Sequence, residues 1–548
     1  MTFRLNTVIN TRKVRGCFTY LQNSSWASKI IAAIAFTSLL TACGGSSSSN
    51  SNTGNNVGNN NGNSTNTPTW VAGEFSSYSS LEQQCAANNT GSEMAEKLWQ
   101  RSYSNDTYLW YDEIADQDPA PYSVIEYFHQ LKTPALTPSG RLKDRFHFTM
   151  STEEWQLLTS SGASVGYGFN IAIKQGAGID RTITVTYSEP NSPALAEQIG
   201  RGALILEVNG VDVATANDQV SIDALNHGLF PSENGQQTTF LIQDLAAEAS
   251  REITLTAQTI VSDPVPIVDT FTVDNSKVGY LVFNDHIATA EKGLFDAFNQ
   301  LEAAAVDELI IDFRYNGGGY LAIASQLGYM VGGNNTKGKT FEKTIFNDKY
   351  PTVNPITGRA LSPTPFYNET VGLNSEVIIA GVELPTVNLS RVFVLTTAGT
   401  CSASEAFING MRGIDIEVIQ IGSTTCGKPY GFYATDNCDT TYFTVQFKGE
   451  NNKGFGDYAD GFSPSEMPSL DTDIQGCEVA DDLTHPLGDQ QEKMLATARY
   501  YLQNGQCPIT AQQNSIAQAA PRVVNGSEFI IEDMRARAQF SKNRILTR

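Results

Sequence analysis

Apolar residues in the second half of this chain fall into short runs of strand length. Lys277–Phe283 (KVGYLVF) and Arg391–Leu395 (RVFVL) read as strands, and Leu309–Phe313 (LIIDF) as a buried strand, because its apolar run is continuous. Ile416–Ile421 is another apolar strand. Between these runs the period changes to helical. Leu294, Phe295, Phe298 and Leu301 share one face of Ala290–Leu301, Leu321–Val331 is the next helix, and Phe407, Ile408 and Met411 sit at helical spacing after Ser402. Phe432–Cys438 and Thr440–Phe447 predict a hairpin with Asp436-Asn-Cys-Asp near its turn. A last helix carries Met494, Leu495, Ala498, Tyr501 and Leu502 on one face, with Asp489 and Glu492 as capping residues and Gly505 as its end. Residues 263–508 are therefore an α/β core, with the polar, proline-containing stretch Asn334–Leu373 as a long loop or hairpin over it.

Upstream the pattern differs. Glu74 to about Ser160 is helical with aromatic anchors at Met94–Trp99, Tyr108–Tyr111 and Val124–Leu131, which predicts a helical cap domain over 69–160. Residues 161–262 form a separate module, in which Tyr167–Lys174 alternates as a strand does. Residues 1–43 contain Arg4, Arg12, Lys13, Arg15 and Lys29, no acid, then the apolar run Ile30–Leu40 and Leu40-Thr-Ala-Cys43: a basic region, a short apolar region and a cleavage site. That run is too short for a comfortable transmembrane helix. Residues 44–68 are Gly, Ser, Asn and Thr with Val57 as the single large apolar residue. Such a segment cannot build a core and predicts a flexible tether spanning roughly 25–30 Å. The Gln/Ala/Arg-rich tail, 509–548, is expected to be loosely ordered.

Charge and cysteines narrow the function. The formal net charge is -22, with no basic stripe outside the leader and the last residues, so nucleic acid is not an expected partner. Leaving out Cys17 and Cys43, six cysteines remain, an even number that favours disulfides in an exported chain. There is no Cys-x-x-Cys and no His-Glu-x-x-His, and the five histidines are scattered, so no metal site is expected. Cys426 and Cys438 flank the start and turn of the hairpin and are expected to pair; Cys477 and Cys507 lie either side of the last helix and are expected to close its loop. Elimination leaves Cys85 with Cys401.

The chemistry is concentrated between Leu395 and Phe432. Ser402-Ala-Ser404-Glu405 stands at a strand-to-helix junction, and Lys428 follows the next strand after Gly427. A helix N-terminus presents unpaired N–H groups to a developing oxyanion, and a lysine whose charge is disfavoured by burial serves as a general base for a serine. Other serine patterns fail. Gly162-Ala-Ser164-Val-Gly166 fits the nucleophile-elbow spelling but is followed by a strand where a helix is needed. No Ser-x-x-Lys occurs, and Gly317-Gly-Gly319 lacks the spacing of a phosphate loop.

Ser-Ala-Ser-Glu followed by Gly-Lys, with 26 positions between Ser402 and Lys428, resembles the C-terminal processing (tail-specific) protease family, in which the interval is about 25. The resemblance implies Ser402 as nucleophile, Lys428 as base, and an oxyanion hole formed by the N–H groups of Gly318 and Ala403. Several members have a glutamine four residues after the lysine; here that position is Phe432. Gly166-Tyr167-Gly168-Phe169 resembles the carboxylate-binding loop of PDZ domains and implies a peptide-binding role. Glu189–Ala194 and Gly202–Gly210 resemble further PDZ sequence, with Ala203 where the pattern has Asp. Leu-Thr-Ala-Cys resembles a bacterial lipobox, which implies lipidation of Cys43, and Gly44 after it implies sorting to the outer membrane. The expected protein is a lipid-anchored serine endopeptidase of the cell envelope, acting on peptides or unfolded proteins without metal or organic cofactor. Its expected fold is a crotonase-like (ClpP/crotonase-type) α/β core with a PDZ-like β-rich module and a helical cap. A catalytically silent peptide- or ligand-binding lipoprotein on the same fold is the alternative.

Overall fold

A computed structural model of the chain describes residues 68–176, 179–509 and the pair 544–545. The leader with Cys43, the tether as far as Thr67 and nearly all of the tail lie outside the described residues. The centre of the molecule is a seven-stranded sheet. Its strands are β1 (Ile267–Val273), β2 (Ser276–Val282), β3 (Glu308–Asp312), β4 (Arg391–Thr396), β5 (Glu417–Gly422), β6 (Ser463–Ser465) and β7 (Asp473–Glu478), in the order β1-β2-β3-β4-β5-β7-β6. β1 and β2 are antiparallel and every other neighbouring pair is parallel.

Helices cover both faces, which is why the central strands are apolar on consecutive positions. Helices α1 (Ala290–Ala304), α2 (Leu321–Gly332) and α3 (Ala403–Gly413) pack with Ile311 and Val394 in one core. Helix α4 (Lys493–Asn504) closes the other face, setting Met494, Leu495 and Ala498 against Ile310, Phe393 and Ile419. Each fully buried Leu, Ile, Met or Phe contributes roughly 1.5–3 kcal/mol by removal from water. Glu492 caps α4 by accepting from the Leu495 N–H at 3.0 Å, and Gly505 ends it in the left-handed conformation.

The N-terminal region is woven into this core. Helices Glu93–Thr107 and Val124–Gln130 lead to a strand, Phe148–Ser151, that pairs antiparallel with Thr440–Phe443. Trp99 stacks on Tyr103 with ring centroids 5.1 Å apart and meets Tyr442 at the same distance. The hairpin expected near residue 438 is present as Thr435–Asn437 and Thr440–Phe443, but it docks on this region.

That docking changes the disulfides. The bonds are Cys85–Cys438, Cys401–Cys426 and Cys477–Cys507. The expected Cys426–Cys438 and Cys85–Cys401 pairs are corrected. Asn437 accepts a hydrogen bond from the Gln83 N–H at 2.8 Å, so the hairpin turn with Cys438 meets residue 85. Cys401 and Cys426 follow adjacent parallel strands and leave the sheet at the same end, with Cα atoms 5.1 Å apart. Peptide mapping without reductant is expected to recover these three cross-linked pairs; a 426–438 fragment would contradict the docking.

Residues 163–261 form the β-rich module, with strands Phe169–Gly176, Ile179–Ser188, Leu204–Val208, Gln237–Gln243 and Arg251–Thr256 in one antiparallel sheet and its own apolar cluster. Ser164 lies within a strand, Ala163–Gly166, paired with Gln258–Val261, so it is not at a strand-to-helix turn. Arg201 of this module reaches the core and bonds to Asp481 at 2.7 Å, to the His485 carbonyl and to the Tyr315 hydroxyl.

Candidate active site

The parallel strands β2 to β5 are in register at their carboxyl ends, where Val282 pairs with Asp312, Asp312 with Leu395, and Thr396 with Gly422. Four loops therefore leave the sheet side by side, at the edge where α/β sheets bind ligands. They carry Asn284–His286, Arg314–Gly319, Thr397–Ser402 and Ser423–Lys428. Cross-links between the loops hold them together. The Cys401 N–H donates to the Asn316 carbonyl and the Cys426 N–H to the Thr400 carbonyl, each at 3.0 Å.

Ser402 stands immediately before α3 and is buried, with φ 57° and ψ -107°. A non-glycine residue in that region is strained, and such residues cluster at functional sites. Ser402 and Glu405 stand in capping-box arrangement, with the Ser402 N–H donating to the Glu405 carboxylate at 2.9 Å, and the Ser402 Oγ is buried. Ala403 opens the helix, so its N–H has no partner within the helix.

Lys428 is fully buried as well. Glu405 binds the lysine loop to the serine helix. Its carboxylate accepts from the N–H groups of Gly427 and Lys428 at 2.8 Å, from that of Ser402 at 2.9 Å, and from the Thr425 hydroxyl. Burial pushes the Glu405 carboxyl above its ordinary range, and the hydrogen bonds from Thr425, Lys428, Gly427 and Ser402 oppose that rise. The Cys401–Cys426 bond repeats the link covalently, beside Ser402 on one side and two residues before Lys428 on the other. Among the described residues, Cys401, Glu405 and Cys426 form a group with metal-ligand chemistry, but both sulfurs are committed to each other.

The glycine turn after β3 departs from expectation. The Gly318 N–H donates to the Asn316 side-chain oxygen at 2.9 Å, so the expected oxyanion donor is engaged within its own loop. The same oxygen lies 2.9 Å from His286 Nδ1, and Asn316 Nδ2 donates to the Phe283 carbonyl, which fixes the amide's orientation. Burial pushes the His286 imidazole down to about 3, so it is neutral and donates through Nδ1. Gly319 must be glycine: its φ is 134° and an added Cβ would lie 2.4 Å from the His286 carbonyl oxygen.

Beneath the turn, Arg314 is buried among Asp312, Asp481 and Glu492 at 2.8, 2.8 and 2.9 Å. Tyr280 donates to Asp312 at 2.7 Å.

In the β-rich module, Gly166 ends its strand, Tyr167 is buried with its hydroxyl 2.7 Å from Thr238 Oγ1, and Phe169 begins the next strand opposite Ser188. The carbonyls of Tyr167 and Gly168 accept from Ala194 and Glu189. Gly168 has φ 88°, and a Cβ there would sit 2.1 Å from the Ser192 Cβ.

Sequence reasoning brought Ser402, Ala403 and Lys428 to one place and missed Glu405, Asn316 and His286 as organisers. Glu405 had a signal, since Ser-x-x-Glu is capping-box spacing. The two that fix the glycine turn had none.

The chain is similar to known proteins in sequence and in fold. Residues 277–444 match peptidase family S41, and residues 157–227 match the PDZ domain. A carboxyl-terminal-processing protease of Picosynechococcus sp. is 23% identical over 248 residues, covering 44% of this chain and 56% of the relative. One of Synechocystis sp. is 29% identical over 166 residues, covering 30% and 36%. The match thus spans about half the length of the first relative and about a third of the second. A solved structure from Bacteroides fragilis assigned to the S41 proteases superposes with a TM-score of 0.54 at 22% identity, covering 74% of this chain and 97% of that one. With an S41 match over 277–444 behind a PDZ match over 157–227, the chain is similar to the C-terminal processing proteases in both its regions and their order.

Proposed function

We propose that the chain is a serine endopeptidase of the C-terminal processing type, acting on peptides or unfolded proteins through Ser402 and Lys428. The observation that carries this is the double link, through Glu405 and through Cys401–Cys426, between the helix that starts after Ser402 and the loop of Lys428. A binding protein needs neither a strained serine nor a buried lysine held beside its loop.

In the proposed reaction the Ser402 Oγ attacks the scissile carbonyl carbon while the neutral Lys428 amine takes its proton. The tetrahedral oxyanion meets the Ala403 N–H, joined by that of Gly318 once its bond to Asn316 opens. The lysine returns the proton to the leaving amine, the acyl-enzyme forms, and water deacylates it by the same path. No step calls for a metal or organic cofactor. Incubation of the chain from Thr69 onward with an unfolded protein tests this. Cleavage that vanishes in Ser402→Ala is expected; equal and negligible cleavage by both proteins would leave a binding role.

The Gly166–Phe169 loop is proposed to deliver substrate. Gly168→Val, which drives a side chain into Ser192, is expected to depress cleavage of long polypeptides several-fold while sparing short activated esters. Equal losses on both substrates would assign the loop a structural role. Lipidation of Cys43, with anchoring in the cell envelope at the outer membrane, is proposed from the leader sequence. Release of Cys43→Ala protein from the membrane fraction tests it.

A further inference from the structure

Two aromatic rings converge on the lysine amine, one of them from the N-terminal region. Lys428 Nζ lies 4.3 Å from the Phe146 ring centroid and 5.2 Å from that of Phe432. Phe432 occupies the position of the family's glutamine and is fully buried; Phe146 is 4% exposed. Each ring is held from outside the lysine. The Phe146 N–H donates to Asp144 at 2.9 Å, and its neighbour Arg145 donates to the Cys426 carbonyl on the lysine loop. Phe432 packs on Phe443 with centroids 5.0 Å apart.

We propose that Phe146 and Phe432 are positioning residues, an aromatic slot that takes the place of the family's carboxamide in fixing and stabilising the Lys428 amine. This deepens the Ser402/Lys428 reading and rests on it. When the serine O–C bond forms, its proton passes to Nζ and the amine becomes an ammonium inside the protein. A glutamine oxygen would meet that charge with a dipole. Here the negative π faces do so, and the rings' apolar bulk keeps water out, which favours the neutral amine between turnovers. The slot therefore acts mainly when the lysine carries the proton, which is the condition for lowering a barrier. It also assigns the N-terminal region a direct part in the active site, through residue 146.

Charged and titratable groups on the elements near the lysine loop are Glu405 of α3, Asp144 and Arg145 of the N-terminal region, Tyr430 of the strand Tyr430–Phe432, and Arg141, which donates to the Cys426 carbonyl and pairs with Asp460 at 3.1 Å. Arg145 and Tyr430 also meet the Phe146 ring, at 4.9 and 6.3 Å from its centroid, so the variants at 432 serve as the control for those at 146. The test places pentafluorophenylalanine at 146 or 432 in the full chain, which preserves ring shape but reverses the face charge, alongside Phe146→Leu and Phe432→Leu. The readout is kcat/KM against pH on a short activated ester. A roughly 2- to 30-fold loss at high pH is expected, with the rising limb displaced to lower pH because the ammonium is less stabilised. Phe146→Trp is expected to retain the native limb. A fluorinated ring that leaves both rate and limb unchanged would overturn the slot, as would a loss of rate with an unmoved limb. Activity surviving in Lys428→Arg would instead remove the dyad on which the slot depends, so the two failures are distinguishable.

Discussion

Lys428→Arg is expected to be as inactive as Lys428→Ala, with kcat/KM on an unfolded protein down by at least about 10⁴-fold in both. A guanidinium stays protonated and cannot accept the serine proton. Ser402→Ala is expected to match them, because members of one catalytic unit fail together. Ser404→Ala separates the two serines of the motif. Its hydroxyl is 3.2 Å from the Asn316 carbonyl, an ordinary buried hydrogen bond worth about 1 kcal/mol, so most activity is retained. In the proposed mechanism the neutral amine is the active form, so wild-type activity is expected to rise with pH until that form is saturated. Substantial cleavage by folded Lys428→Arg would require another base for Ser402.

Arg314→Leu is expected to cost about 3–5 kcal/mol of stability, because it strands Asp312 and Glu492 as buried charges. Arg314→Lys keeps the charge but cannot reach three carboxylates with a planar fork, so a smaller loss is expected. Chemical denaturation of the two variants measures both. The cluster also dictates an acid response. Burial alone would raise the Asp481 carboxyl, but the guanidinium groups of Arg314 and Arg201 hold it below its ordinary range. Burial also opposes ionisation of Asp482, yet hydrogen bonds from Thr484, His485 and the Lys493 N–H bring it down to about 2. Stability from both carboxylates is therefore present above about pH 4, the range of a free Asp, and is lost at lower pH, for Asp482 as pH falls toward about 2. In Arg314→Leu the Asp481 share of this acid dependence is expected to shrink.

The core was legible because its signals are local. LIIDF and RVFVL are apolar on consecutive positions for one physical reason, helices on both faces, and Glu492 and Gly505 mark the ends of α4 by their own chemistry. What failed to show is contact between distant segments. Nothing near Cys438 announces that its hairpin docks on a strand 289 residues upstream, where Ser151 pairs with Thr440, and two of the three expected disulfides differ for that reason, while Cys477–Cys507 is as expected. The Gly318 N–H was expected to be open because spacing places the glycine but not its neighbour's side chain; Asn316, two residues away, takes that donor. Phe146 is an ordinary aromatic in its own stretch, and only the folded chain brings it to Lys428.

The Cys85–Cys438 bond has a consequence for the order in which the protein is made. A ribosome supplies residue 85 long before residue 438, a separation of 353 positions. Through that interval Trp99, Tyr103 and Phe128 lack Tyr442, which completes their cluster. This early-made region is thus among the last to become native, and contacts of such long range slow folding. Meanwhile its thiol has no native partner, and its aromatic surface is open to whatever binds nascent chains.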